Sequence, residues 1–197
     1  MVKVDVKLNE SFFKQLQTVS TEAGRKSMAS AINDALKTGK TTLKREICKI
    51  YNIKQKEVDA NSKVNRCTES NLKSGHIKVE SRRLTIGTST HFSHTPKGYI
   101  SQRGIKVARR KEISVTVKKK SKKKMQHAFI ANPSAVKGGN TMIWIREKKH
   151  IAPVRTVSIP QMSSNSVVQN AVSKAMVEKY EQRFEHYWNR NMRVKGG

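Results

Sequence analysis

Residues 22–50 read EAGRKSMASAINDALKTGKTTLKREICKI, and their spacing predicts one long amphipathic helix. Met28, Ile32, Ala35, Leu36, Leu43, Ile47 and Ile50 recur at intervals of three, four or seven residues, so they share one face. Gly39 interrupts the stripe. A glycine inside a helix costs about 1 kcal/mol against alanine, so its presence there points to a close helix contact or to a bend. Arg25, Lys26, Lys37, Lys40, Lys44 and Lys49 take the opposite face, as a solvated surface or as a functional one.

The pattern changes on both sides of this helix. Upstream, Val2 to Leu8 alternate as a strand does, and from Ser11, a plausible N-cap, Phe12, Phe13, Leu16 and Val19 fall on one helical face. Downstream, a short helical turn covers Lys54 to Val58. Period two then takes over: HIKVE (76–80) and RLTIG (83–87) predict a hairpin about a Ser-Arg turn. GIKVA (104–108) and ISVTV (113–117) predict a second, joined by Arg109-Arg110-Lys111-Glu112. AFIA (128–131) and MIWI (142–145) are two more short strands, with Asn132-Pro133 and Gly138-Gly139 as loop punctuation between them. A closing helix over 164–192 carries Val168, Val172, Ala175, Tyr180, Phe184, Tyr187 and Trp188 as its apolar stripe, expected to pack on the sheet. The expected fold class is α+β, a single domain over 1–197. N-terminal helices (1–60) and a long C-terminal helix pack on an antiparallel sheet (72–150) that bears a basic loop or hairpin arm (97–124).

Charge narrows the function. The chain has 197 residues, 41 of them Lys or Arg and 14 Asp or Glu, for a net charge of +27. Hydrophobic residues make up 36%, below the roughly 45–50% of ordinary globular chains, so the core is thin and the surface strongly cationic. Such a surface seeks an anionic partner. Residues 97–124 hold twelve basic residues and one acidic residue, a net +11, ending in the tract KKKSKKK (118–124). Arg109, Arg110 and Lys111 are expected at a hairpin tip. Lys118, Lys119, Lys120, Lys122, Lys123 and Lys124 are expected as a flexible arm after the second strand, disordered until something anionic neutralises it. Phosphate is the obvious neutraliser, with counterion release and salt-dependent binding. No recognition-helix motif is present, and the aromatic residues are not interleaved with the basic tract as a single-strand platform requires. Contact with the duplex DNA backbone, without sequence specificity, fits best. A solvated loop that keeps the protein soluble, and a cytosolic, ribosome-associated RNA-binding protein, are the competing readings.

Several classes drop out. No apolar run reaches the ~18 residues of a membrane span. The opening MVKVDVKLNE is charged throughout, which predicts no signal peptide and reduced thiols at Cys48 and Cys67. The histidines are scattered, and His91-Phe-Ser-His94 lacks a neighbouring Cys or acidic ligand, so no metal site is expected. GxSxG, P-loop and GxGxxG motifs are missing and carboxylates are sparse, which predicts a non-enzyme without cofactors.

Three segments, in order, resemble the phage minor tail protein Z family, the tail-completion proteins of long-tailed phages. They are MASAINDALKTGKTTLKREICKIYNIKQKEV (28–58), ISQRGIKVARRKEISVTVKKKSKKKMQHAFIA (100–131) and IAPVRTVSIPQM (151–162). The likeness covers roughly residues 25 to 190. It departs at Gln126-His127, where the family commonly carries Pro-Gly. The resemblance implies a structural virion protein at the head-proximal end of the tail, a hexameric ring contacting tail-tube, tail-terminator and head-connector proteins. Its basic arms would face the DNA in the channel, or acidic surfaces of those neighbours.

Overall fold

The computed structural model describes residues 2–6, 22–86, 93–95, 113–125, 127–131, 142–147 and 150–193. For residues 2–6, 93–95, 130–131, 147 and 192–193 it describes the backbone alone. The expected helix from Ser11, strand 104–108 and tip Arg109–Lys111 lie outside the described residues. The architecture is α+β.

Helix α1 spans Glu22–Ile50, the bounds its periodicity predicts. Met28, Ile32, Ala35, Leu36, Leu43 and Ile47 are fully buried. Its main partner is the closing helix α4, Ser166–Arg193. The two run antiparallel, because Ser27, Asp34 and Gly39 of α1 meet Asn191, Tyr187 and Met176 of α4 in that order. Gly39 marks a close contact rather than a bend. A Cβ there would lie 2.6 Å from Met176 Sδ and 3.0 Å from Ile77 Cδ1. The aromatic end of α4 thus lies along α1, where the sequence suggests the sheet. Tyr187 Oη donates to Asp34 Oδ2 at 2.9 Å, and Asn191 Nδ2 donates to Ser27 Oγ at 2.8 Å. Tyr180, Phe184 and Trp188 form a row with ring centroids 5.6 and 5.8 Å apart.

Much of the basic face of α1 is engaged locally. Lys37 pairs with Asp34 at 3.0 Å and Lys49 with Glu46 at 2.7 Å. Lys40 and Lys44 both reach Asp59 Oδ1 at 3.0 Å, tying α1 to the short helix α2, Gln55–Ala60. Burial alone pushes the Asp34 carboxyl up, but hydrogen bonds from Lys37 and Tyr187 and the charges of Lys37 and Arg183 outweigh it and hold it below the usual range.

The strands form three small antiparallel sheets. In the first, β3 (His76–Ser81) lies between β1 (Val2–Val6) and β2 (Ser62–Asn65). The predicted 76–87 hairpin is therefore absent: both edges of β3 are taken. Residues 84–86 turn instead to the chain before α3 (Ile159–Ser163), with Thr156 N donating to Leu84 O at 2.8 Å and Ile86 N to Val154 O at 3.0 Å. Ser158 starts α3 through a capping box with Gln161.

The second sheet orders β4 (Ser93–Thr95), β5 (Ile113–Lys118) and β6 (Ser121–Met125). The third orders β7 (Ala128–Ala131), β8 (Met142–Glu147) and β9 (His150–Pro153), and its β7 and β8 contain the predicted AFIA and MIWI strands. Ile77, Val79, Ile113, Val115 and Ile143 join α1, α3 and α4 in one continuous core. His127 enters β7 at φ 57°, the left-handed region that favours glycine.

Three outcomes follow from this packing. Gly39→Leu should lower stability by about 1–3 kcal/mol in denaturant unfolding, because Met176 and Ile77 occupy the space its side chain needs. His127→Gly should raise it by roughly 0.5–1 kcal/mol, the left-handed penalty less the entropy of an added glycine. The carboxyl of Asp34 is depressed in the folded state, so its contribution is present above the unfolded value of about 3.9 and lost as pH falls through the folded one. Asp34→Asn should therefore be less stable than the parent at pH 7, and the gap should close on acidification below about pH 4.

Candidate nucleic-acid interface

The basic tract is an ordered hairpin, not the flexible arm its charge predicts. Lys118 ends β5, Lys119-Lys120 make the turn, and Lys122, Lys123 and Lys124 lie in β6. Two anchors account for this. At the inner end, Ile113 and Val115 are buried in the core and set the register Ile113↔Met125, Val115↔Lys123. Near the tip, the hairpin docks on the end of α1: Asn52 N donates to Val117 O at 2.8 Å, and Lys119 N donates to Ile50 O at 3.0 Å. The carbonyl end of a long helix carries partial negative charge, so it favours the lysines placed beside it. Strand geometry also helps, since successive side chains point to opposite faces and neighbouring ammonium groups diverge.

The cross-strand pairs Ser114↔Lys124 and Thr116↔Lys122 put two lysines and two hydroxyl-bearing residues on one face. Val115↔Lys123 lies on the other face, and the register shifts between Thr116 and Lys118. All seven residues 118–124 are exposed. The structure thus brings Lys118, Lys119, Lys120, Lys122, Lys123 and Lys124 into one exposed cationic element. Arg109, Arg110 and Lys111 lie outside the described residues. Lysine on a strand at a sheet's margin also discourages unwanted edge pairing, a structural role alongside any binding role. The arrangement can hold phosphates electrostatically; it offers no nucleophile or proton-transfer group.

The thiols supply none either. Burial pushes Cys67 up to about 11. At Cys48 burial raises the thiol, Lys119 pulls against it, and Glu57 adds to the rise. Neither cysteine forms a disulfide, and both are poor thiolates at neutral pH. Among the described residues, no three His, Cys, Asp or Glu side chains converge as metal ligands would, and no helix is long and apolar enough to cross a membrane.

One juxtaposition escapes linear reading. Phe129 and Trp144 are 15 positions apart in the chain yet directly opposed across β7 and β8, with Arg146 two residues along. A shallow hollow of about 570 Å³ there is lined by His127, Ala128, Phe129 and Arg146. Only the AFIA and MIWI strand patterns, taken as a pair in a definite register, signal this cluster beforehand.

The model of the prophage minor tail protein Z family matches residues 6–195. No curated protein and no solved structure matches the chain. The family match runs through both long helices, all but the first strand's opening residues, and the lysine hairpin between them. The chain therefore belongs to the prophage minor tail protein Z family and is a structural protein of a phage tail.

Proposed function

We propose that this protein completes the tail at its head-proximal end, where the tube meets the head connector. Copies assemble there into a ring, six by family resemblance, and their lysine hairpins face the DNA channel. The observation that supports the reading is the hairpin of Lys118–Lys124, exposed along its whole length, rooted in the core through Ile113 and Val115 and tied near its turn to the end of α1. A ring around duplex DNA needs cations without base readout, and six lysines on a fixed ribbon meet that need. The ribbon's ordering loss is met during folding, so little remains to be lost when phosphate is bound. The mechanism is electrostatic: the hairpins neutralise phosphate, displace counterions and hold the genome end in place for ejection. The thin core and the basic surface suit a protein whose neighbours are a polyanion and other virion subunits.

The test replaces the six hairpin lysines with glutamine in the phage and, separately, in the purified protein. Virion assembly should remain intact while infectivity falls. Duplex binding should lose salt dependence by about 0.9 in the slope of log K against log salt for each phosphate contact removed. Unchanged infectivity would overturn the DNA role. Reduced infectivity with an unchanged salt slope would assign the hairpin to acidic surfaces of neighbouring virion proteins instead. Electron microscopy of particles carrying an early stop codon in this gene tests the position: heads and tails that fail to join productively are expected, and fully infectious particles would refute it.

A further inference from the structure

We propose that the outer face of the β7–β8–β9 sheet binds single-stranded nucleic acid, an unpaired base stacking on Phe129 and Trp144 while Arg146 and His127 take the adjoining phosphate. In antiparallel sheets, directly opposed residues share a face. The register Phe129↔Trp144↔Pro153 therefore draws an apolar row across all three strands, with Arg146↔Ile151 beside it on the same face. The alternate positions, Ile130↔Ile143 and Ala128↔Ile145, form the other face, and the complete burial of Ile143 marks that face as the core side. The Phe129–Trp144–Arg146 face consequently points away from the core. Ile151 there is 51% exposed, one of two large hydrophobic side chains so exposed among the described residues. Arg146 and His127 are exposed, Phe129 and Trp144 half-buried, and the hollow opens along Phe129 and Arg146.

The chemistry selects the ligand. Aromatic faces are of no use to a duplex whose bases are stacked and paired, whereas every unpaired base has a π-face to offer them. Guanidinium and imidazole donors beside a stacking surface match the phosphate that follows each base. The electrostatics agree: two residues separate Met125, at the end of the lysine strand, from Ala128, at the start of β7. The platform thus continues directly from the most cationic element described, and a polyanion is the complementary occupant. This site differs in ligand from the duplex contact assigned to the hairpin, and each can fail alone.

The experiment uses the full chain in a Trp188→Phe background, which leaves Trp144 as the single tryptophan of the two. The probe is an oligothymidylate of about 12 nucleotides, a length within the usual footprint of such platforms. It should quench Trp144 fluorescence, and a duplex of equal length should not. Phe129→Leu keeps the apolar bulk but removes the aromatic face, and should weaken oligothymidylate binding about tenfold while leaving duplex affinity unchanged. If Phe129→Leu unfolds, Arg146→Gln, at an exposed position, serves in its place with the same expected loss. Absence of quenching by the oligonucleotide would overturn the proposal, as would equal loss of single-strand and duplex binding in these variants. Quenching by polyglutamate in place of the oligonucleotide would also overturn it, and would make the face a docking site for an acidic protein segment.

Discussion

The spacing between α1 and α4 is set where Met176 packs on the bare backbone of Gly39, with Ile77 of β3 beneath. Everything else is arranged about that seam. The first sheet meets the helix pair there, because Ile77 belongs to its central strand. Polar ties between Ser27 and Asn191 and between Asp34 and Tyr187 fix the sliding register of the two helices, a job apolar contact alone does poorly because it is not directional. A larger residue at 39 would spread the helices and loosen the ties and the sheet contact together.

The second constraint is charge. A chain at +27 repels itself, and the fold meets this by placing carboxylates among the lysines of α1 and α2. These pairs are largely open to solvent screening, so their effect is to relieve repulsion more than to drive folding. The lysine hairpin is handled differently. It is tied by backbone hydrogen bonds to the carbonyl end of α1 and rooted by Ile113 and Val115 in the core. Those anchors hold the cationic ribbon in a fixed place beside the end of α1.

Legibility varied with the range of the interactions involved. The helix at 22–50 was readable to its ends because its signal is local: apolar residues at a fixed period with Tyr51 and Asn52 leaving it. AFIA and MIWI were readable for the same reason. The 76–87 hairpin failed because adjacency in sequence suggested a partner for β3, while two other strands compete for its edges and win. The lysine tract failed as a flexible arm because repulsion between like charges was visible in the chain and the anchors at Ile50 and Asn52, more than 60 residues upstream, were not. The left-handed backbone of His127 was not legible either, since a side chain's identity does not reveal φ.

By itself, then, the sequence determined the two long helices, the α+β class, the surplus of positive charge and the family, all properties of local period, composition or residue order. Tertiary structure alone decided that Gly39 is a contact point, that α4 lies along α1, that six lysines form a β-hairpin at a helix end, and that Phe129 faces Trp144 beside Arg146. Each of these depends on which distant segments satisfy one another's backbone groups and fill one another's space. That choice is settled by the whole chain competing for a limited set of edges and cavities, and no window of neighbouring residues contains it.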